Sequence, residues 1–189
     1  MGYTTEFYGS LKFNKPVTEE LKNYINKFSE TRRMARDPEK IKLNYPNWKE
    51  ECFNGELGNE GEYFVGGGGF MGQDRDDSII NYNYPSSKQP GLWCQWIING
   101  DDELVWDEGE KFYNYIEWLA YLISNFFEPL DYVLNGEIEF QGEDMEDFGT
   151  IVVTDNYINV EYGIRVSSLS EISDNDLIEE MRRRGYNIA

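Results

Sequence analysis

Two pairs of apolar segments in this chain are separated only by tight turns, and that spacing restricts the fold more than any other feature. Leu92–Ile98 runs through Asn99-Gly100-Asp101 into Leu104–Trp106, and Thr150–Thr154 runs through Asp155-Asn156 into Tyr157–Glu161. Connections this short join antiparallel neighbours, because a parallel neighbour needs a crossover of a dozen or more residues. A third strand is expected over Tyr132–Phe140, with a kink at Asn135-Gly136. At the start of the chain, Tyr3, Thr5, Phe7, Leu11 and Phe13 alternate with Thr4, Glu6, Ser10 and Lys12, the pattern of a half-buried strand.

Helical spacing occurs in two main places. After Pro16, Thr18 can cap a helix with Glu19 and Glu20 in its first turn and Leu21, Tyr24, Ile25 and Phe28 on its apolar side. Residues 110–127 give the strongest helical pattern. Phe112, Tyr115, Ile116, Leu119, Leu122, Ile123 and Phe126 point inward, Glu110, Asn114, Glu117 and Tyr121 point outward, and Pro129 marks the end. Ser173 can cap a short helix over Asp176–Arg184. Between these elements the pattern weakens. Residues 32–61 read as an irregular, partly helical connection, Glu62–Val65 as a short strand entering Gly66–Gly69, and residues 73–91 as a long polar loop. Leu92–Ile98, apolar on both faces, reads as a central strand.

The predicted fold is therefore α+β: an antiparallel sheet of about six or seven strands with two main helices packed on one face and a short C-terminal helix. A length of 189 residues fits one domain, with residues 161–189 as a C-terminal extension.

Charge narrows the function. The formal net charge is −19, and residues 51–180 carry twenty-nine Asp and Glu against four Lys and Arg. Such a body repels nucleic acid and anionic membrane surfaces, so direct binding to either is not expected, whereas a basic protein surface is attracted. With no histidine, Ser-His-Asp and Cys-His catalysis and histidine-ligated zinc are excluded. Cys52 and Cys94 match no metal or redox spacing and read as buried thiols of a reducing compartment; with no signal-like or membrane-spanning segment in view, the expected location is cytoplasmic. No cofactor is implied and no metal site is expected. Asp74, Asp76, Asp77 and Ser78 have calcium-loop spacing, but Ile79 stands where that loop requires glycine and Pro85 where it requires an acid.

Three constellations remain. Residues 101–149 hold fifteen Asp and Glu and one Lys. Their outward members Glu110, Glu117, Glu137, Glu139, Glu143 and Asp144 can form a negative face that imitates the charge of a duplex. In a second constellation, Gly67 and Gly68 with Arg75, Tyr82 and Trp93 can line a pocket for a nucleotide or sugar signal, although neither nucleotide-binding glycine fingerprint is matched. In a third, Glu137 and Glu139, about 6.5–7 Å apart along a strand, could act as paired carboxylates on a sugar held by Tyr82, Tyr84, Trp93 and Trp106.

Several blocks also carry a resemblance: Thr31-Arg32-Arg33-Met34, Glu62-Tyr63-Phe64-Val65-Gly66-Gly67, Phe70-Met71-Gly72-Gln73-Asp74, Gln89-Pro90-Gly91-Leu92-Trp93-Cys94-Gln95-Trp96, Gly109-Glu110-Lys111-Phe112-Tyr113-Asn114-Tyr115 and Gln141-Gly142-Glu143-Asp144. Over about residues 1–160 the chain resembles an uncharacterised family of small acidic proteins of phages, prophages and bacteria. The resemblance implies a mobile-element context, in which small acidic proteins act as inhibitors of host defence, and no particular chemistry. The leading expectation is a non-enzymatic protein that binds a basic surface of a host nucleic-acid-handling or defence protein. Small-molecule sequestration is the alternative, and oligomeric state is left open.

Overall fold

Thr5, Phe7, Leu11 and Phe13 do turn one way: β1 (Thr5–Phe13) buries Phe7 and Leu11 and exposes Glu6, Tyr8 and Lys12. A computed structural model describes residues 2–163 and 173–183 of the chain. Around β1 lie β4 (Trp96–Ile98), β5 (Glu103–Trp106), β6 (Leu134–Gly142), β7 (Phe148–Thr154) and β8 (Tyr157–Tyr162). They form a six-stranded, wholly antiparallel sheet in the order β4-β5-β1-β6-β7-β8. The fold is α+β. Both expected hairpins are present, with Ile98 opposite Leu104 and Thr154 opposite Tyr157. The Asn135-Gly136 kink falls where β1 and β6 crowd each other. Gly136 has φ +145° and Gly9 φ +112°, and a Cβ on either would sit 2.5–2.6 Å from a carbonyl oxygen of the other strand.

One face of this sheet is covered. The helix α1 (Glu19–Glu30), capped by the Thr18 hydroxyl accepting from Leu21 N–H, and the helix α3 (Tyr115–Leu122) supply Leu21, Ile25, Phe28, Trp118, Leu119 and Leu122 to a core shared with Phe7, Leu11, Leu104, Ile138, Phe140 and Ile151. Phe126 lies at its centre, edge-on to Phe28, Phe53 and Tyr24.

Several sequence expectations need correction. The 110–127 helix begins only at Tyr115, because Lys111 and Asn114 have positive φ, and after Leu122 it widens into a π-helical turn over Ile123–Phe127. Tyr121 is buried rather than outward, stacked on Phe28 and edge-on to Trp118, so the helix is covered on more sides than its apolar stripe suggested. Leu92–Ile98 is not a central strand. Only Trp96–Ile98 pairs, at the sheet edge, where α1 covers the open backbone: the Asn26 side chain both donates to Ile98 O (3.0 Å) and accepts from Ile98 N–H (2.8 Å), and Ser29 donates to Trp96 O. Glu62–Val65 is not a strand. The polar stretch 73–91 contains one, β3 (Ile79–Pro85), paired antiparallel with β2 (Met34–Arg36) in a separate two-stranded ribbon. The helix α2 (Pro38–Asn44), capped by Asp37, follows β2 and supplies Ile41 to a small second cluster with Cys52, Leu57 and Phe64. The C-terminal helix α4 spans Asp174–Arg183, with Ser173 Oγ accepting from Asp176 N–H; Arg184 lies outside the described residues.

Candidate functional site

The face of the large sheet that no described residue covers is built by strict alternation, since every side chain that does not enter the core must project from the other side. In register across β1, β6, β7 and β8, Tyr8 stands beside Glu139, then Thr150, then Glu161; Ser10 stands beside Glu137, then Val152, then Asn159. Glu6, Glu137, Glu139 and Glu161 are exposed and have no ion-pair partner among the described residues. Lys12 is the one cation on these strands and is paired with Glu103 at 3.6 Å. Tyr8 donates to Glu6 at 2.5 Å, and that bond raises the phenol pKa, so the ring stays a neutral donor among carboxylates.

The six acids singled out from the sequence are divided by the fold. Glu137 and Glu139 are on the open sheet face. Glu143 and Asp144 are in the β6–β7 loop at its end, held by Thr4 N–H donating to Glu143 (2.9 Å) and by Asp144 N–H donating to the Tyr3 hydroxyl (3.2 Å). Glu117 is on α3, on the other side of the sheet, and Glu110 is in the irregular segment before that helix, paired with Lys111 at 3.9 Å. The sequence missed Glu6 and Glu161 as members of the face, although β-alternation already marked Glu6 as outward.

Of the second constellation, Arg75 and Tyr82 meet directly and Trp93 joins them through Arg32, whereas Gly67 and Gly68 pack elsewhere. The guanidinium carbon of Arg75 lies 4.8 Å from the Tyr82 ring centre, and that of Arg32 lies 4.7 Å from the same ring and 5.5 Å from Trp93. Arg32 Nε donates to Tyr82 O at 3.3 Å, and Arg32 N–H donates to Met71 O at 3.0 Å, so the 66–75 loop is bound to the start of β2. Gly68 O accepts from Asp74 N–H, and Gly67 packs on Gly72 and the Arg36 side chain. Arg32 was not among the expected residues: it meets Tyr82 fifty positions later, and nothing in local sequence marks that encounter. The paired-carboxylate reading is not assembled, because Tyr82 and Trp93 stand with the arginines and Trp106 packs on Phe7 in the core, away from the outward Glu137 and Glu139.

Behind this corner, Arg36 (3% exposed) donates to Asp76 at 2.7 Å, to the Ser78 hydroxyl at 2.8 Å and to Gly72 O at 3.3 Å. Burial alone would raise the Asp76 carboxyl, but the Ser78 hydroxyl, Arg36 and the Tyr45 hydroxyl outweigh it and hold it down at about 2. Asp77 turns to Lys40 and Asn44 and Asp74 to the glycine run, so the calcium-like acids diverge. No group of three or more His, Cys, Asp or Glu side chains among the described residues is placed to hold a metal ion. Cys52 and Cys94 are both buried free thiols, and burial pushes each up to about 12, leaving neither as a thiolate nucleophile. Among the described residues no helix is long and apolar enough to cross a membrane.

Comparison with known proteins leaves these sites to be read from their own chemistry: no family model, no curated protein and no solved structure matches the chain.

Proposed function

We propose that this protein is a non-enzymatic binder of a basic protein surface, and that the open face of the six-stranded sheet makes the contact. The observation that carries the reading is the set of Glu6, Glu137, Glu139 and Glu161 on a face that no described residue covers and whose one cation among the described strands is already paired. Glu137 and Glu139 stand on alternate positions of β6, about 7 Å apart, and Glu161 stands across Thr150 from Glu139, two strands or about 10 Å away, so the carboxylates are spread over the face at intervals on the scale of nucleic-acid phosphates. A groove lined with Lys and Arg to receive a duplex would meet similar charge here, with Tyr8 as an additional hydrogen-bonding group. Glu143 and Asp144 extend the field at one end of the sheet. The partner class is thus a nucleic-acid-handling protein, and the resemblance to small acidic phage and prophage proteins favours a host-defence nuclease within that class.

Long-range attraction from such a face acts mainly on the association rate and is screened within about 10 Å at 0.1 M salt. The test is capture from host lysate at low and high salt, using the parent and the quadruple variant Glu6→Gln, Glu137→Gln, Glu139→Gln, Glu161→Gln. A nucleic-acid-binding protein retained by the parent at low salt, displaced by duplex DNA and lost with the variant supports the reading. Equal capture by parent and variant removes it.

A further inference from the structure

We propose that the corner formed by Arg32, Arg75, Tyr82 and Trp93 is a binding site for a phosphoryl group, carried by a phosphate monoester or by free phosphate. The site is independent of the acidic sheet face and rests on an imbalance in how this chain uses its cations.

In a protein with 36 acidic and 17 basic residues, a guanidinium finds a carboxylate easily. The described structure contains nine ion pairs, and neither Arg32 nor Arg75 is in one. The neighbouring acids are turned elsewhere. Asp74 folds back on the glycine run, where a Cβ on Gly68 would lie 3.5 Å from its Oδ2. Asp76 is taken by Arg36 and Tyr45, and Asp77 by Asn44 and Lys40. Two permanently charged groups are thereby held around a single tyrosine ring. Their carbons are no more than about 9.5 Å apart, the sum of the two distances to its centre. Mutual repulsion makes that arrangement unfavourable by itself, and a shared anion relieves it.

The donor set selects the class of anion. Arg32 commits Nε to Tyr82 O and has both terminal nitrogens without a partner among the described residues; Arg75 is exposed, with its whole fork available. A carboxylate has two oxygens and one charge, enough for one fork. A phosphoryl group with three terminal oxygens and close to two charges can engage both forks together. The flat faces of Tyr82 and Trp93 hold the Arg32 guanidinium before any ligand arrives, so less side-chain freedom is lost on binding than at two mobile surface arginines. Half-buried Trp93 provides a flank against which the organic part of the ester can lie.

The experiment is a backbone-amide NMR titration of the full chain with adenosine 5′-monophosphate, inorganic phosphate and adenosine, each against sodium chloride of matched ionic strength. Saturable shifts confined to residues around Arg75, Tyr82 and Trp93 are expected with the two phosphates and not with adenosine. Comparable affinity for both assigns the site to free phosphate, and an affinity at least about tenfold higher for the nucleotide assigns it to a nucleotide-like ester; both outcomes support the proposal. Arg75→Gln, at an exposed position that leaves the fold in place, should weaken binding at least about tenfold, and Arg75→Lys should restore only part of the loss. Unchanged affinity in Arg75→Gln, adenosine binding as well as its monophosphate, or shifts reproduced by sodium chloride would overturn it.

Discussion

The large sheet with α1 and α3 and the β2–β3 ribbon with α2 are held by different means. Twenty-five buried apolar side chains form one cluster in the first, with Phe126 among several aromatic rings. The second has four, Ile41, Cys52, Leu57 and Phe64, and its irregular backbone is tied by arginines. Arg36 bridges Asp76, Ser78 and Gly72, while Arg33, buried over Phe28 at 4.0 Å, donates to the carbonyls of Glu62 and Phe64. Apolar packing is non-directional, whereas a buried guanidinium is stable only while its acceptors stay in place. The candidate ligand corner is built on the second kind of structure, where polar side chains also do the folding.

That contrast breaks most visibly at the centre of the apolar cluster. Phe126→Ala should cost about 3–5 kcal/mol, read as a lower urea midpoint of the whole chain with the slope unchanged. If the slope falls and the large-sheet region melts while the ribbon stays folded, the two regions are not coupled through this core.

In the ribbon, Asp76→Asn should cost about 2–3 kcal/mol at pH 7, below the full cost of breaking a buried pair because Asp76 is partly exposed and Arg36 keeps Ser78 and Gly72. Amide exchange should quicken at residues 34–36 and 79–85 and stay unchanged in β6 and β7. The pH dependence has a definite sign. Since the folded carboxyl is depressed to about 2 from an ordinary value near 4, its contribution is present above pH ~4 and lost as pH falls through about 2. Parent and variant melting temperatures should therefore converge over that window; a gap that stays constant down to pH 2 would place the stabilisation elsewhere.

Smaller effects test the seam between helix and sheet. Asn26→Ala leaves the Ile98 N–H and C=O without their side-chain partner and should cost about 1–2 kcal/mol, with exchange at Ile98 as the local readout. Thr18→Ala removes the α1 cap at about 1 kcal/mol, measurable as a shift in thermal midpoint. Smallest of all, replacing Glu6, Glu137, Glu139 and Glu161 by Gln should change stability by no more than about 0.5 kcal/mol per site. A larger loss would mean that the open face contributes to folding and is not reserved for a partner.

Legibility in the sequence followed the same division. β1, α1, the two hairpins and β6 were readable because alternation, helical spacing, Thr18 and the Asn-Gly and Asp-Asn turns are local signals, each confined to a few residues. β3 was not readable, because a polar segment becomes a strand only when Met34–Arg36 arrives from more than forty residues away. Tyr121 was misplaced since its spacing marks the far side of the apolar stripe, and only the packing of Phe28 and Trp118 covers that side.

The acidic character of the chain, the absence of histidine chemistry and the antiparallel α+β architecture were determined by the sequence alone, as consequences of composition and short-range order. Tertiary structure decided which acids share a face, since Glu137 and Glu139 went to the open side of the sheet, Glu117 to the helical layer and Glu110 to the loop before it. It also decided that Arg32 and Arg75 meet on Tyr82. Both outcomes depend on long-range pairing, in which residues distant along the chain are brought together by the burial of other side chains, and no local pattern encodes that juxtaposition.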